Sequence, residues 1–117
     1  MSLFTAQRMT IKKNVVVKSG RQPVSGYDLI RVDQNDPNSL PLVVPCRITG
    51  TNEGNLKLFV YRTYYNQIPG GLHKNFQVEI VGFGQTYIIT KEPIWAGGVN
   101  HHVEVDLGAG IIWQNLT

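Results

Sequence analysis

The sequence predicts an all-β domain, a small barrel or sandwich of about seven antiparallel strands with long loops. Three observations carry this expectation. Apolar residues alternate with polar ones in short runs, Gly, Pro, Asn and Asp interrupt those runs, and no segment carries an apolar stripe at helical spacing. With 117 residues, 42% of them hydrophobic and 16% charged, the chain reads as one globular domain spanning residues 1–117, able to bury a core without disulfide staples.

The first strand is "RMTIKKNVVV" (8–17), preceded by an N-terminal arm (1–7). A turn region, "KSGRQPVSG" (18–26), follows, because Gly20, Pro23 and Gly26 each interrupt extended pairing. "YDLIRV" (27–32) resumes extended structure, and "DQNDPNSLP" (33–41) is a polar loop in which Asp, Asn, Pro and Ser favour turns by separate mechanisms. In "LVVPCRIT" (42–49), Pro45 lacks an N–H for the ladder and argues for an edge or a bulge. "TNEGN" (51–55) connects to "LKLFVYRTYY" (56–65), and "NQIPGGLHKN" (66–75) forms a wide loop.

"FQVEI" (76–80) and "QTYIITKE" (85–92) are strands joined through "GFG", with Gly82 and Gly84 free to adopt positive φ. A phosphate-binding reading of these glycines fails because no helix follows them. "KEPIWAGG" (91–98) turns the chain again. "VNHHVEVDL" (99–107) is the last strand, half-buried, predicted to place Val99, His101, Val103, Val105 and Leu107 on the core face and Asn100, His102, Glu104 and Asp106 on the other. Residues 108–117 form a tail.

The candidate chemistry is sparse. A single cysteine, Cys46, excludes an internal disulfide and is expected to be a small buried apolar residue. Strand alternation predicts that His101 and His102 point apart and cannot close on one ion, and His73 in its loop could join only one of them, so no metal site is expected. Ser19, Ser25 and Ser39 lie in turns without a nucleophile setting, and Glu104 and Asp106 share a strand face about 7 Å apart with no evident cleft. The expectation is a protein that is not an enzyme and carries no cofactor. No window reaches a membrane span and no secretory leader is evident, so the reading is a soluble protein with no membrane partner.

Charge is unevenly distributed. Arg8, Lys12, Lys13, Lys18, Arg21 and Arg31 face only Asp28 between residues 8 and 31, a local balance of +5, so the rest of the chain carries −2 of the net +3. Such asymmetry suits a basic surface for nucleic acid, or a head-to-tail contact between copies, or solvated strand faces. In 56–65, Leu56, Leu58 and Val60 share one face and Lys57, Phe59 and Tyr61 the other, so neither side is clearly polar. Such a strand is either internal or covered by a partner, and Phe59, Tyr61, Tyr64 and Tyr65 are the candidate subunit interface.

The order of segments resembles that of the small β-barrel head-tail joining, or head-closure ("stopper"), proteins of tailed bacteriophages. The resemblance runs over "QRMTIKK" (7–13), "PCRITG" (45–50), "NLKLFVYRTYY" (55–65), "VEIVGFGQTYIIT" (78–90) and "HHVEVDL" (101–107), while "QIPGGLHKN" and the tail "GAGIIWQNLT" depart from it. It implies a structural virion component, assembled in the host cytoplasm and located in the neck. There a homo-oligomeric ring below the portal or adaptor protein closes the DNA channel and docks tail proteins. It further implies that "DQNDPNSLP", with Asp33, Asn35, Asp36 and Asn38 as a mobile plug, or "KSGRQPVSG" faces the lumen. Lys18 and Arg21, then Lys12 and Lys13, would make non-specific contact with packaged DNA, and Trp95 would lie on the tail-facing surface. A capsid decoration or other virion surface protein and a small nucleic-acid-binding barrel are the alternative readings.

Circular dichroism of the purified chain should show β-structure with very little helix; a helical share near the roughly one third of average globular proteins would overturn the fold class.

Overall fold

The computed structural model describes residues 7–19, 22–50, 56–82 and 85–109. It contains eight strands, β1 (Gln7–Ser19), β2 (Gln22–Leu29), β3 (Val44–Gly50), β4 (Leu56–Tyr61), β5 (Gln77–Ile80), β6 (Thr86–Ile89), β7 (Ile94–Ala96) and β8 (His102–Ala109), and one short helix, α1 (Arg62–Tyr65). Six strands close an antiparallel barrel in the order β1-β3-β4-β8-β6-β5, sealed by the pairing of β5 back onto β1. β2 and β7 lie outside the ring, on β1 and β8 respectively. The expectation of an all-β barrel or sandwich thus resolves to a barrel.

Period-two alternation explains how the barrel is filled. Met9 and Ile11 of β1, Val44 and Cys46 of β3, Leu58 and Val60 of β4, Val78 and Ile80 of β5, Ile89 of β6, and Val103, Val105 and Leu107 of β8 are all buried and form one cluster. Ile30, Ile68 and Leu72 join it from the connecting segments. The loop "QIPGGLHKN" therefore does more than connect strands: it contributes Ile68 and Leu72 to the core, and the Leu72 N–H donates to the Tyr65 hydroxyl at 2.8 Å. Glu92 ties the end of that loop down, accepting from the Lys74 N–H at 3.1 Å and meeting His73 Nδ1 at 3.1 Å. These two bonds, the backbone one first, hold the Glu92 carboxyl below its ordinary pKa.

β1 is shared between two structures. Its first residues are flanked on both edges, as Met9 pairs with Val44 of β3 and with Ile80 of β5. From Lys12 to Ser19 it pairs with β2 down to the Ser19–Gln22 register, so its distal half and β2 form a two-stranded ribbon beyond the barrel. "KSGRQPVSG" is accordingly not a long loop: residues 18–19 and 22–26 are strand, and residues 20–21 lie outside the described residues. Pro23 is tolerated because, among the described residues, β2 pairs along one edge only. Likewise β3 pairs with β1 around Pro45 and with β4 only from Arg47 onward, so the proline needs no donor on the β4 side.

Three further boundaries differ from the sequence expectation. The fourth strand stops at Tyr61, and Arg62–Tyr65 turn into the short helix rather than extending the sheet. The last strand starts at His102, because Gly97, Val99 and Asn100 take positive φ values of 79°, 50° and 54° and make residues 97–100 a turn. Val99 and His101 are therefore exposed instead of lying on the core face with Val103 and Val105. Gln7 belongs to β1 and residues 108–109 to β8, while the rest of the expected arm and tail, 1–6 and 110–117, lies outside the described residues. Of the Gly82–Gly84 hairpin, Gly82 has φ 90° as expected, and Gly84 lies outside the described residues.

Burial in the barrel pushes the Cys46 thiol up from 9.0 to about 12. The unfolded chain ionises this thiol above its ordinary value while the folded chain keeps it neutral, so the associated stability is complete below 9.0 and is lost as pH rises towards about 12. The folded protein should therefore resist alkylation by iodoacetamide at about pH 8 and react at once in denaturant. Rapid labelling of the native state, followed by mass spectrometry, would show instead that the barrel opens at β3.

Candidate functional site

With the interior filled, the side chains available for chemistry lie outside the barrel. On the sheet formed by β3, β4, β8 and β7, register places Arg47, Phe59, Glu104 and Ile94 in one row, and Tyr61, His102 and Ala96 in the next. The adjoining row pairs Lys57 with Asp106. Lys57 Nζ lies 3.6 Å from both Glu104 Oε1 and Asp106 Oδ1, and Lys91 Nζ lies 3.7 Å from Asp106 Oδ2. These part-exposed pairs set side-chain positions more than they add stability. The alternation thus leads Glu104 and Asp106 to the outer face as expected, with lysines between them.

His101 and His102 do the opposite of what strand alternation implies. Because the turn at 97–100 delivers His101 from outside the strand, its Nδ1 lies 3.1 Å from His102 Nδ1. His102 Nε2 lies 3.0 Å from Glu104 Oε2. The carboxylate requires an Nε2–H donor, which leaves neutral His102 with Nδ1 as acceptor for the His101 Nδ1–H. Aromatic edges hold both rings: Phe59 meets His102 with centroids 5.6 Å apart, and Tyr61 meets His101 at 5.1 Å. A cleft of about 300 Å³ lined by Arg47, Phe59, Tyr61, His101, His102 and Glu104 opens beside the pair. A second cleft, of about 580 Å³, runs from Tyr61 and His101 over Arg62, Tyr64 and Val99, where Arg62 Nη1 donates to the Val99 carbonyl at 3.1 Å. Among the described residues no group of three or more His, Cys, Asp and Glu is placed to hold a metal ion. His73 sits apart, on Glu92 and the Gly70 carbonyl.

The proposed interface aromatics divide into two sets. Phe59 and Tyr61 form walls of the histidine cleft. Tyr64 and Tyr65, on α1, pack against the core, and the Tyr65 ring meets the half-exposed Trp95 edge-on at 5.3 Å. Of the basic residues, Lys12 and Lys13 sit at the base of the ribbon, opposite Leu29 and Asp28, and are half-buried. Lys18 is paired with Pro23 next to the ribbon tip, and Arg21 lies outside the described residues.

The 33–41 loop is a knot of short-range hydrogen bonds. Asp33 and Asp36 each accept through Oδ1 from the N–H two residues on, at Asn35 (3.0 Å) and Asn38 (2.9 Å). Ser39 Oγ accepts from the Asp33 N–H at 3.1 Å and donates to its carbonyl at 2.9 Å, while Arg31 Nη1 donates to the Ser39 carbonyl at 2.8 Å. Asp33, Asn35, Asp36 and Asn38 are exposed, and the two aspartates brace the backbone of the two asparagines.

Exposed large apolar side chains are concentrated on two stretches. Tyr27, Val32, Leu40 and Val43 follow β2 and its loop, with Leu40 75% exposed; Ile94, Trp95 and Val99 lie on β7 and its turn, with Val99 88% exposed. Among the described residues only Val81 lies elsewhere. Sequence reasoning missed Arg47 and the meeting of the two histidines. "AGGVN" is the signal that could have found the latter, since glycines followed by Asn mark a turn ending just before His101. Comparison with family models and with curated protein sequences finds no match.

Gly97→Ala tests whether the turn positions the histidines. The added Cβ would lie 2.8 Å from His101 Cβ at a φ of 79°. A loss of about 1–2 kcal/mol in denaturant titration, with shifted His101 and His102 ring resonances, is the expected outcome. Unchanged resonances would show that the turn does not set the pair.

Proposed function

We propose that the chain is a structural assembly protein that forms a homo-oligomeric ring in the neck of a tailed phage, between portal or adaptor and tail, where it closes the DNA channel and offers a docking surface to the tail. The observation that carries the assembly reading is the pair of strands outside the barrel. β2 and β7 each pair along one edge only among the described residues, and the exposed apolar side chains gather beside these same two strands. An unpaired edge next to apolar surface invites another chain. Two different such surfaces on one molecule make a heterologous contact, which closes into a ring when the rotation permits. The phage setting rests on the order of segments quoted above.

Within this reading the β1–β2 ribbon supports a channel role better than the 33–41 loop does. Lys18 belongs to the end of β1 and Arg21 falls in sequence between β1 and β2, so a ring would carry these basic residues near one end of each subunit's ribbon, for contact with phosphate without reading base sequence. An isolated two-stranded ribbon is marginally stable, which suits a segment that must yield for DNA to pass. The protein then acts by position and charge, as a non-enzymatic component.

Mass photometry and negative-stain electron microscopy of the full chain, alone and with portal complexes, test the proposal. Rings are expected, with Leu40→Asp and Ile94→Asp each returning the chain to a folded monomer. Lys18→Glu with Arg21→Glu should leave rings intact and yield particles that package DNA and then lose part of it, through repulsion from the phosphate column. A folded monomer under all conditions that binds free oligonucleotide with steep salt dependence would replace this reading with that of a nucleic-acid-binding barrel.

A further inference from the structure

We propose that His101 and His102 chelate a late first-row divalent cation, Zn2+ being the probe, each through Nδ1. Two imidazole nitrogens bound to one tetrahedral Zn2+ at about 2.0–2.1 Å lie about 3.3 Å apart. The observed Nδ1–Nδ1 separation is 3.1 Å, so rotation of the rings turns the contact into a chelate once the His101 proton has moved from Nδ1 to Nε2, which keeps that imidazole neutral. Consecutive residues of a strand could not do this. The positive φ of Val99 and Asn100, a conformation costly for a β-branched residue, is what brings His101 round to its neighbour.

The surroundings fit a ligand pair. His102 donates its far nitrogen to Glu104, the arrangement by which metal-binding histidines are oriented and made more basic. Lys57, 3.6 Å from the other Glu104 oxygen, keeps that carboxylate beside the ring rather than drawn onto the ion. The protein supplies two ligands, and the cleft of about 300 Å³ beside them leaves room for water or an exogenous anion at the remaining positions. Arg47 lines the same cleft, so an anionic third ligand would sit between two positive centres. Imidazole nitrogen without thiolate suits Zn2+, Ni2+ or Cu2+ and not Ca2+ or Mg2+.

The test is a calorimetric titration of the full chain with Zn2+, together with long-range 1H–15N correlation spectra of the imidazoles. One Zn2+ per chain is expected, with both Nδ1 resonances moving to the metal-bound range and the melting temperature rising with Zn2+ concentration. His101→Ala and His102→Ala should each weaken binding by at least about tenfold, and Glu104→Gln by about tenfold, as the loss of an orienting carboxylate does. His73→Gln should leave Zn2+ binding unchanged, because His73 lies in a separate loop on Glu92. Absence of saturable binding, binding that survives the double His101→Ala, His102→Ala variant, or unmoved Nδ1 resonances would overturn the proposal and leave the contact as a hydrogen bond only. The spectra of the wild-type chain decide the matter even if a variant misfolds.

Discussion

The pairing of Met9–Lys12 with Gln77–Ile80 is the constraint on which the rest of this structure depends. Without it the strands would form an open sheet with two long edges, and half of every strand's side chains would have no partner layer. With it, Met9 and Ile11 lie beside Ile80 and Val78 on the wall of a closed interior, and apolar burial supplies the main driving force for folding. The contact joins residues about seventy positions apart in sequence, so its loop-closure entropy must be met before the barrel gains from it.

Closure also decides where chemistry can occur. A six-stranded barrel is narrow enough for its inward side chains to fill it, so every polar or ionisable group of interest is pushed onto the outer face or into the connections. Cys46 illustrates the inward side: it is buried, neutral and inert. Arg47, its neighbour, points the other way and lines the histidine cleft. The difference between a packing residue and a potential ligand-binding residue is here a single step along β3.

Much of the architecture was legible in the sequence because barrel strands obey a two-residue period. Alternation alone places Val103, Val105 and Leu107 on the core face, and it groups Leu58 with Val60 without telling which side of that strand is buried; the polar composition of 33–41 marks a loop whose Asx turns follow from its aspartates. What failed were the places where backbone conformation breaks that period. Alternation extrapolated through Val99 and Asn100 put His101 in the core and separated it from His102, whereas two left-handed residues undo both conclusions. The basic turn region misled for a related reason. Gly20, Pro23 and Gly26 read as loop formers, yet on an edge strand Pro23 and Gly26 cost little, so pairing continues through both. Contacts made by side chains far apart in sequence, such as Trp95 on Tyr65 or Leu72 in the core, have no local signature at all.

β1 belongs to the barrel and to the ribbon at once, without a break between them. That continuity has a mechanical meaning. A pull on the ribbon tip along the strand direction reaches the barrel as shear, loading the ladders to β3 and β5 together, and bonds loaded in parallel resist far more than bonds peeled in turn. A sideways push at the same tip strains only the β1–β2 pairs. The molecule is therefore anisotropic under load, stiff along the length of β1 and compliant across it.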